Sequence, residues 1–132
     1  MKKKVLDFLK ENGLNIEGDG ILEVLMKGSS LTETQIETLL IEYASQSNGG
    51  RIDTEFKASI RGVSKGAYAT TKAQAIKNIR KSIYTILFLR YLGILSDSGL
   101  SRLLEVAERL GRGEVDEGLD LLKSIRFRDV TR

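Results

Sequence analysis

The chain has 132 residues, 41% of them hydrophobic and 30% charged, with a formal charge of +3 and no cysteine, histidine or proline. That length and balance suit one globular domain and argue against wholesale disorder. Without cysteine or histidine there is no disulfide, no thiolate or imidazole metal site, and no cysteine or Ser-His-Asp nucleophile.

Apolar residues recur mostly at spacings of three and four, which predicts helices throughout. Val5, Leu6, Phe8 and Leu9 mark a short first helix that Asn12-Gly13 ends through a left-handed cap. A second helix is expected from about Asp19 to Lys27, with Ile21, Leu22 and Leu25 inward. Ser30-Leu31-Thr32-Glu33 has capping-box spacing, and Ile36, Leu39, Leu40 and Tyr43 follow at helical intervals, so a helix is expected over 31–46. Ser47-Asn48-Gly49-Gly50 breaks it. A short helix from about Thr54 to Arg61 leads to the break Gly62-Val63-Ser64. Beyond it a long helix, starting at Ser64 or near Thr70, runs towards Leu92. Ser96-Asp97-Ser98-Gly99 caps the next, with Leu100, Leu103, Leu104, Ala107 and Leu110 in one stripe. After Arg112-Gly113 a last helix aligns Val115, Leu119, Leu122 and Ile125, trailed by Arg126, Arg128 and Arg132. The expected fold is all-α. It is a single domain over 1–132, a small bundle of five to seven helices: N-terminal helices in 1–28, a helix-turn-helix-like core in 31–95 around one long central helix, and C-terminal helices in 98–125.

Charge is segregated along this chain. Residues 56–96 hold eight cations and no acid, residues 1–55 six cations and ten acids, and residues 97–132 seven and eight, so the balances are −4, +8 and −1. A positive centre of this kind attracts a polyanion. At ~100° per residue, with Lys77 as zero, Ile76, Ile79, Ile83, Ile86 and Leu87 fall on one side, predicted to face the core. Gln74, Lys77, Asn78, Arg80, Lys81 and Tyr84 fall on the other. Past Tyr84 the helix is expected to be buried nearly all round, which leaves Arg90 in the apolar stripe, where it either pairs with an acid or escapes at the helix end. Lys and Arg neutralise phosphates, and Gln or Asn can pair with adenine in a major groove wide enough for a helix.

The Gly62-Val63-Ser64 turn followed by a basic helix resembles that of many bacterial and archaeal helix-turn-helix transcription regulators. Tyr91-Leu92-Gly93-Ile94-Leu95 resembles the segment that enters the wing of winged-helix proteins. The resemblance spans residues 31–95 and implies nucleic-acid contacts from Ser64, Lys65, Tyr68, Thr70, Gln74, Lys77, Asn78 and Lys81, and the cation run adds Arg61, Lys72 and Arg80. It also implies a homodimer, for which the Leu100, Leu103, Leu104, Leu110, Leu119 and Leu122 stripe of the helices after Ser98 is the candidate seam.

Competing motifs carry less. Tyr68 and Lys72 match the Tyr-x-x-x-Lys pattern of short-chain dehydrogenases, but the Gly-rich loop, alternating strands and length of those enzymes are missing. Gly18-Asp19-Gly20 and Gly111-Arg112-Gly113 lack phosphate-loop spacing, and the acids Glu114, Asp116, Glu117 and Asp120 suit a helix's first turn. No catalytic residue, cofactor or metal is expected. The apolar run Ile83–Leu95 is 13 residues long and contains Arg90, short of the ~20 needed to span a bilayer. Asp7, Lys10 and Glu11 break the apolar stretch after Met1-Lys2-Lys3-Lys4, so neither secretion signal nor membrane association is expected, and the location is expected to be cytoplasmic. The function expected is non-enzymatic binding of nucleic acid through the central basic helix, by a transcription regulator or chromosome-associated protein. Duplex DNA is favoured over RNA because few aromatics accompany the cations. The alternative is an adaptor or assembly subunit docking an acidic protein.

Overall fold

A computed structural model of the chain describes residues 1–128, with Asn48 described by its backbone only. Among these residues are seven α-helices, one 3-10 turn at Gln46–Asn48, and no strand. The helices are α1 (Lys3–Glu11), α2 (Gly20–Gly28), α3 (Glu33–Ser45), α4 (Thr54–Arg61), α5 (Lys65–Leu92), α6 (Asp97–Gly111) and α7 (Val115–Ser124). They form two compact units, one from Met1 to Arg80 and one from Lys81 onwards, with α5 contributing to both. The expected trailing Arg132 lies outside the described residues.

The first unit is built on α1, which buries Val5, Phe8 and Leu9 at positions i, i+3 and i+4. These pack with Ile16, Ile41, Ala44, Ala58, Ile60 and Tyr68 into one core, flanked by Leu6, Leu22, Leu40 and Val63. Each fully buried side chain of this size stabilises by roughly 1.5–3 kcal/mol, which is what holds helices of eight or nine residues that would not persist alone. The Asn12 side chain closes α1 by donating to the Phe8 carbonyl at 2.8 Å. Asp19 caps α2 by accepting from the Leu22 amide at 3.0 Å. Leu25, expected inward, is exposed.

The capping box of α3 lies two residues later than expected. Thr32 Oγ1 accepts from the Gln35 amide and Gln35 Oε1 accepts from the Thr32 amide, each at 3.2 Å. Ser30 is otherwise engaged, its hydroxyl donating to Asn78 Oδ1 at 2.8 Å. Asp53 begins α4 by accepting from the Phe56 amide at 2.8 Å.

Between α4 and α5 the chain turns within Gly62-Val63-Ser64. Gly62 has φ +73°, a conformation that costs a residue with a Cβ about 1–2 kcal/mol. The Val63 amide reaches back to the Ala58 carbonyl at 3.1 Å and the Gly62 amide to Ser59 at 3.1 Å, a Schellman closure, while the Val63 side chain packs on the core. Ser64 Oγ then accepts from the Ala67 amide at 3.1 Å, so α5 starts at Lys65 and not near Thr70.

In the second unit, Gly93 at φ +78° ends α5, the Leu95 amide returns to the Leu89 carbonyl at 3.0 Å, and Leu95 is buried. Helix α6 begins at once, with Ser96 Oγ accepting from the Gly99 amide at 3.1 Å. A helix, and not the hairpin of a wing, thus follows the Tyr91–Leu95 segment, as the Ser96-Asp97-Ser98-Gly99 cap implied. Helices α6 and α7 pack as a hairpin, close enough at Gly118 that a Cβ there would lie 2.8 Å from Leu110 Cδ2. Val106 takes the buried position on α6, whereas Leu104 and Ala107 of the expected stripe are exposed. Ile86 of α5 joins Leu95, Leu103, Leu122, Ile125 and Phe127 around a small apolar cleft.

The expected core stripe of α5 is corrected. Ile76, Ile79, Ile83 and Leu87 are exposed, and only Ile86 of that set is half-buried. Nor is the helix buried all round past Tyr84, since Phe88, Tyr91 and Leu92 are exposed as well. Its inward side is instead set by Tyr68 and Ala75, both fully buried, with Thr71 and Asn78 beside them. Arg90 finds its acid in Asp97.

Candidate nucleic-acid interface

Three helices of the first unit, α3, α4 and α5, are joined by a partly buried polar cluster. Lys57 Nζ on α4 donates to both carboxylate oxygens of Glu42 on α3, at 3.0 and 3.1 Å. The Tyr68 hydroxyl on α5 donates to the same carboxylate at 3.0 Å, and Lys72 Nζ lies 3.5 Å from it. Burial by itself would raise the Glu42 pKa, but the hydrogen bonds from Lys57 and Tyr68 and the charges of Lys57 and Lys72 hold it below the ordinary carboxylate range. Burial pushes Tyr68 far above the usual phenol range, and the adjacent Glu42 charge and hydrogen bond push it further. A phenol so held is a poor proton donor, the opposite of what the Tyr-x-x-x-Lys chemistry of dehydrogenases uses. Arg61 is buried too, with Nη1 donating to Thr38 Oγ1 at 3.0 Å and its carbonyl accepting from Lys2 Nζ at 2.7 Å.

Asn78 anchors α5 at a second point. Its Nδ2 donates to the Ser30 carbonyl at 2.9 Å and to Gln35 Oε1 at 3.1 Å, tying the helix to the capping box of α3. These bonds, with the Tyr68 contact, fix which side of α5 is turned outward.

The eleven sequence-predicted contact residues therefore divide. Arg61 and Tyr68 are buried, Lys72 and Asn78 are half-buried and bonded inward, and these four serve the fold. Ser64, Lys65, Thr70, Gln74, Lys77, Arg80 and Lys81 are exposed. Thr70, Gln74, Lys77 and Lys81 follow one another at i, i+4, i+7 and i+11, one row along the helix. Gly66, Ala67, Ala69 and Ala73 are exposed beside that row, so the first turns of α5 are slender. A helix of about 10–12 Å diameter fits the ~12 Å major groove, and small flanking side chains allow the closer approach.

Sequence reasoning missed Glu42 and Lys57, the residues that set the orientation of α5. Their partners lie 15 and 26 positions away, and no local period marks them. The one available signal was Lys57 on the apolar side of a short helix. Among the described residues no group of three or more acids could hold a metal ion, and no helix is long and apolar enough to cross a membrane. Comparison with protein-family models, with curated proteins and with solved structures finds no match.

Proposed function

We propose that this chain is a non-enzymatic duplex-DNA-binding protein, of the kind that regulates transcription or associates with chromosomes, and that α5 is its recognition helix. The observation that carries the reading is the exposed row Thr70, Gln74, Lys77 and Lys81 on the helix that follows the tight Gly62-Val63-Ser64 turn, within 41 residues that contain no acid. Lys65, Lys77, Arg80 and Lys81 supply phosphate contacts, and Gln74 with Thr70 reaches base edges. The row from Thr70 to Lys81 contains no aromatic side chain and the exposed rings of α5 begin only at Tyr84, so the row itself offers no ring for stacking on unpaired bases. That favours duplex DNA over RNA.

Gel-shift titration of duplex DNA, single-stranded DNA and RNA tests the reading. Duplex DNA is expected to shift at the lowest protein concentration, and the Lys77→Glu, Lys81→Glu double variant is expected to shift none. Equal binding by the double variant would remove α5 as the contact element, and preference for RNA would replace the partner.

A further inference from the structure

We propose that the C-terminal half of α5 is a self-association surface on which two copies of this chain pair antiparallel, with the two-fold axis between Leu87 and Phe88. The inference does not depend on the nucleic-acid reading. Ile83, Tyr84, Leu87, Phe88, Tyr91 and Leu92 are exposed by 54% to 90%, and all lie within three turns of one helix. Aromatic side chains bury ~150–250 Å² each, and Tyr84, Phe88 and Tyr91 are 60% to 90% exposed, so with the three aliphatic neighbours the patch reaches the upper end of what monomers ordinarily leave bare. It approaches the ~800 Å² per partner of a standard interface. Ile83 and Leu87 lie one turn apart on the same side, within the 83–92 stretch that the antiparallel partner overlaps.

Charge selects a second copy and its direction. The free cations of α5 lie before the patch, at Lys65, Lys77, Arg80 and Lys81, and the one cation within it, Arg90, is taken by Asp97. Parallel pairing would set the two cation clusters side by side at the ~8–10 Å separation of packed helices. Antiparallel pairing about Leu87 and Phe88 moves the two Lys81 residues ~20 Å apart, beyond a Debye length of ~8–10 Å. It also brings each Lys81 to the partner's last helical turn, where unpaired carbonyls and the negative end of the dipole attract a cation. An anionic membrane surface fits less well, because interfacial helices carry their cations along the flanks of the apolar face, and here no unpaired cation follows Lys81 before Arg102.

The full chain in sedimentation velocity at tens of micromolar is expected to be a dimer, and Leu87→Asp a monomer with unchanged helical circular dichroism, since Leu87 is exposed. The absence of native cysteine allows a second measurement. Under mild oxidation Leu87→Cys is expected to form a disulfide-linked dimer. Ile83→Cys, whose copies lie ~14 Å apart along the antiparallel pair, exceeds disulfide reach and is expected to stay unlinked. A monomeric wild type, a Leu87→Asp variant that remains dimeric, or equal linking of both cysteine variants would overturn the proposal. So would a monomer that pellets with phosphatidylserine-containing vesicles, which would assign the patch to a membrane.

Discussion

Glu42 shows how one carboxylate can decide the presentation of a surface helix. It holds Lys57 from α4 and Tyr68 and Lys72 from α5, so its removal leaves a buried ammonium and a buried phenol without their acceptor. We expect Glu42→Ala to cost about 3 kcal/mol in urea unfolding, the range for breaking a largely buried ion pair by deleting one partner. The linked pH dependence has a definite sign. The folded pKa of Glu42 is depressed below its ordinary 4.5, so its stabilisation is complete above pH 4.5 and is lost as pH falls through the folded value. Glu42→Gln should therefore flatten the acid limb of a stability-versus-pH profile. Tyr68 acts at the other end: the unfolded phenol ionises near 10.0 while the folded one stays protonated, so stability falls above pH 10 and Tyr68→Phe removes that fall. None of this was legible from local spacing. For Arg90 the sequence left either an acidic partner or escape at the helix end, and the side chain, partly exposed near the end of α5, pairs with Asp97.

At the scale of elements, helix boundaries follow from capping chemistry that the sequence displays. Asn12-Gly13, Asp19, Asp53, Gly62-Val63-Ser64 and Ser96 all act where local rules place them. The displaced capping box of α3 is instructive, since Ser30-Glu33 and Thr32-Gln35 satisfy the same spacing rule, and the bond from Ser30 to Asn78 on α5 distinguishes them. Two substitutions test the turn. Gly62→Ala should cost about 1–2 kcal/mol by forcing a Cβ into positive φ, and Ser64→Ala about 1 kcal/mol by orphaning the Ala67 amide. Chemical denaturation measures both. A loss of DNA affinity in either variant at temperatures where it remains folded would show that the turn also sets the pose of α5.

For the whole molecule, the proposed interface predicts a salt law. Four exposed cations, Lys65, Lys77, Arg80 and Lys81, meeting four phosphates give a slope of about −3.6 in log K against log[salt] for each chain on duplex DNA. A slope near zero from fluorescence anisotropy across a salt series would exclude phosphate contact. Lys72→Ala should barely change the slope, because that ammonium is already paired with Glu42.

The sequence by itself determined the all-helical class, the order of the helices, the tight turn between α4 and α5 and the positive centre, because helical periodicity, caps and charge runs are local properties of the chain. Which side of α5 faces inward was decided only by tertiary structure. Periodicity groups Ile76, Ile79, Ile83 and Leu87 on one side but cannot say what covers it. The inward direction is set by contacts across 26 to 48 residues, from Tyr68 to Glu42 and from Asn78 to Ser30. Those contacts turn the isoleucines outward, keep Thr70, Gln74, Lys77 and Lys81 in solvent, and draw Arg61, Tyr68, Lys72 and Asn78 into the fold.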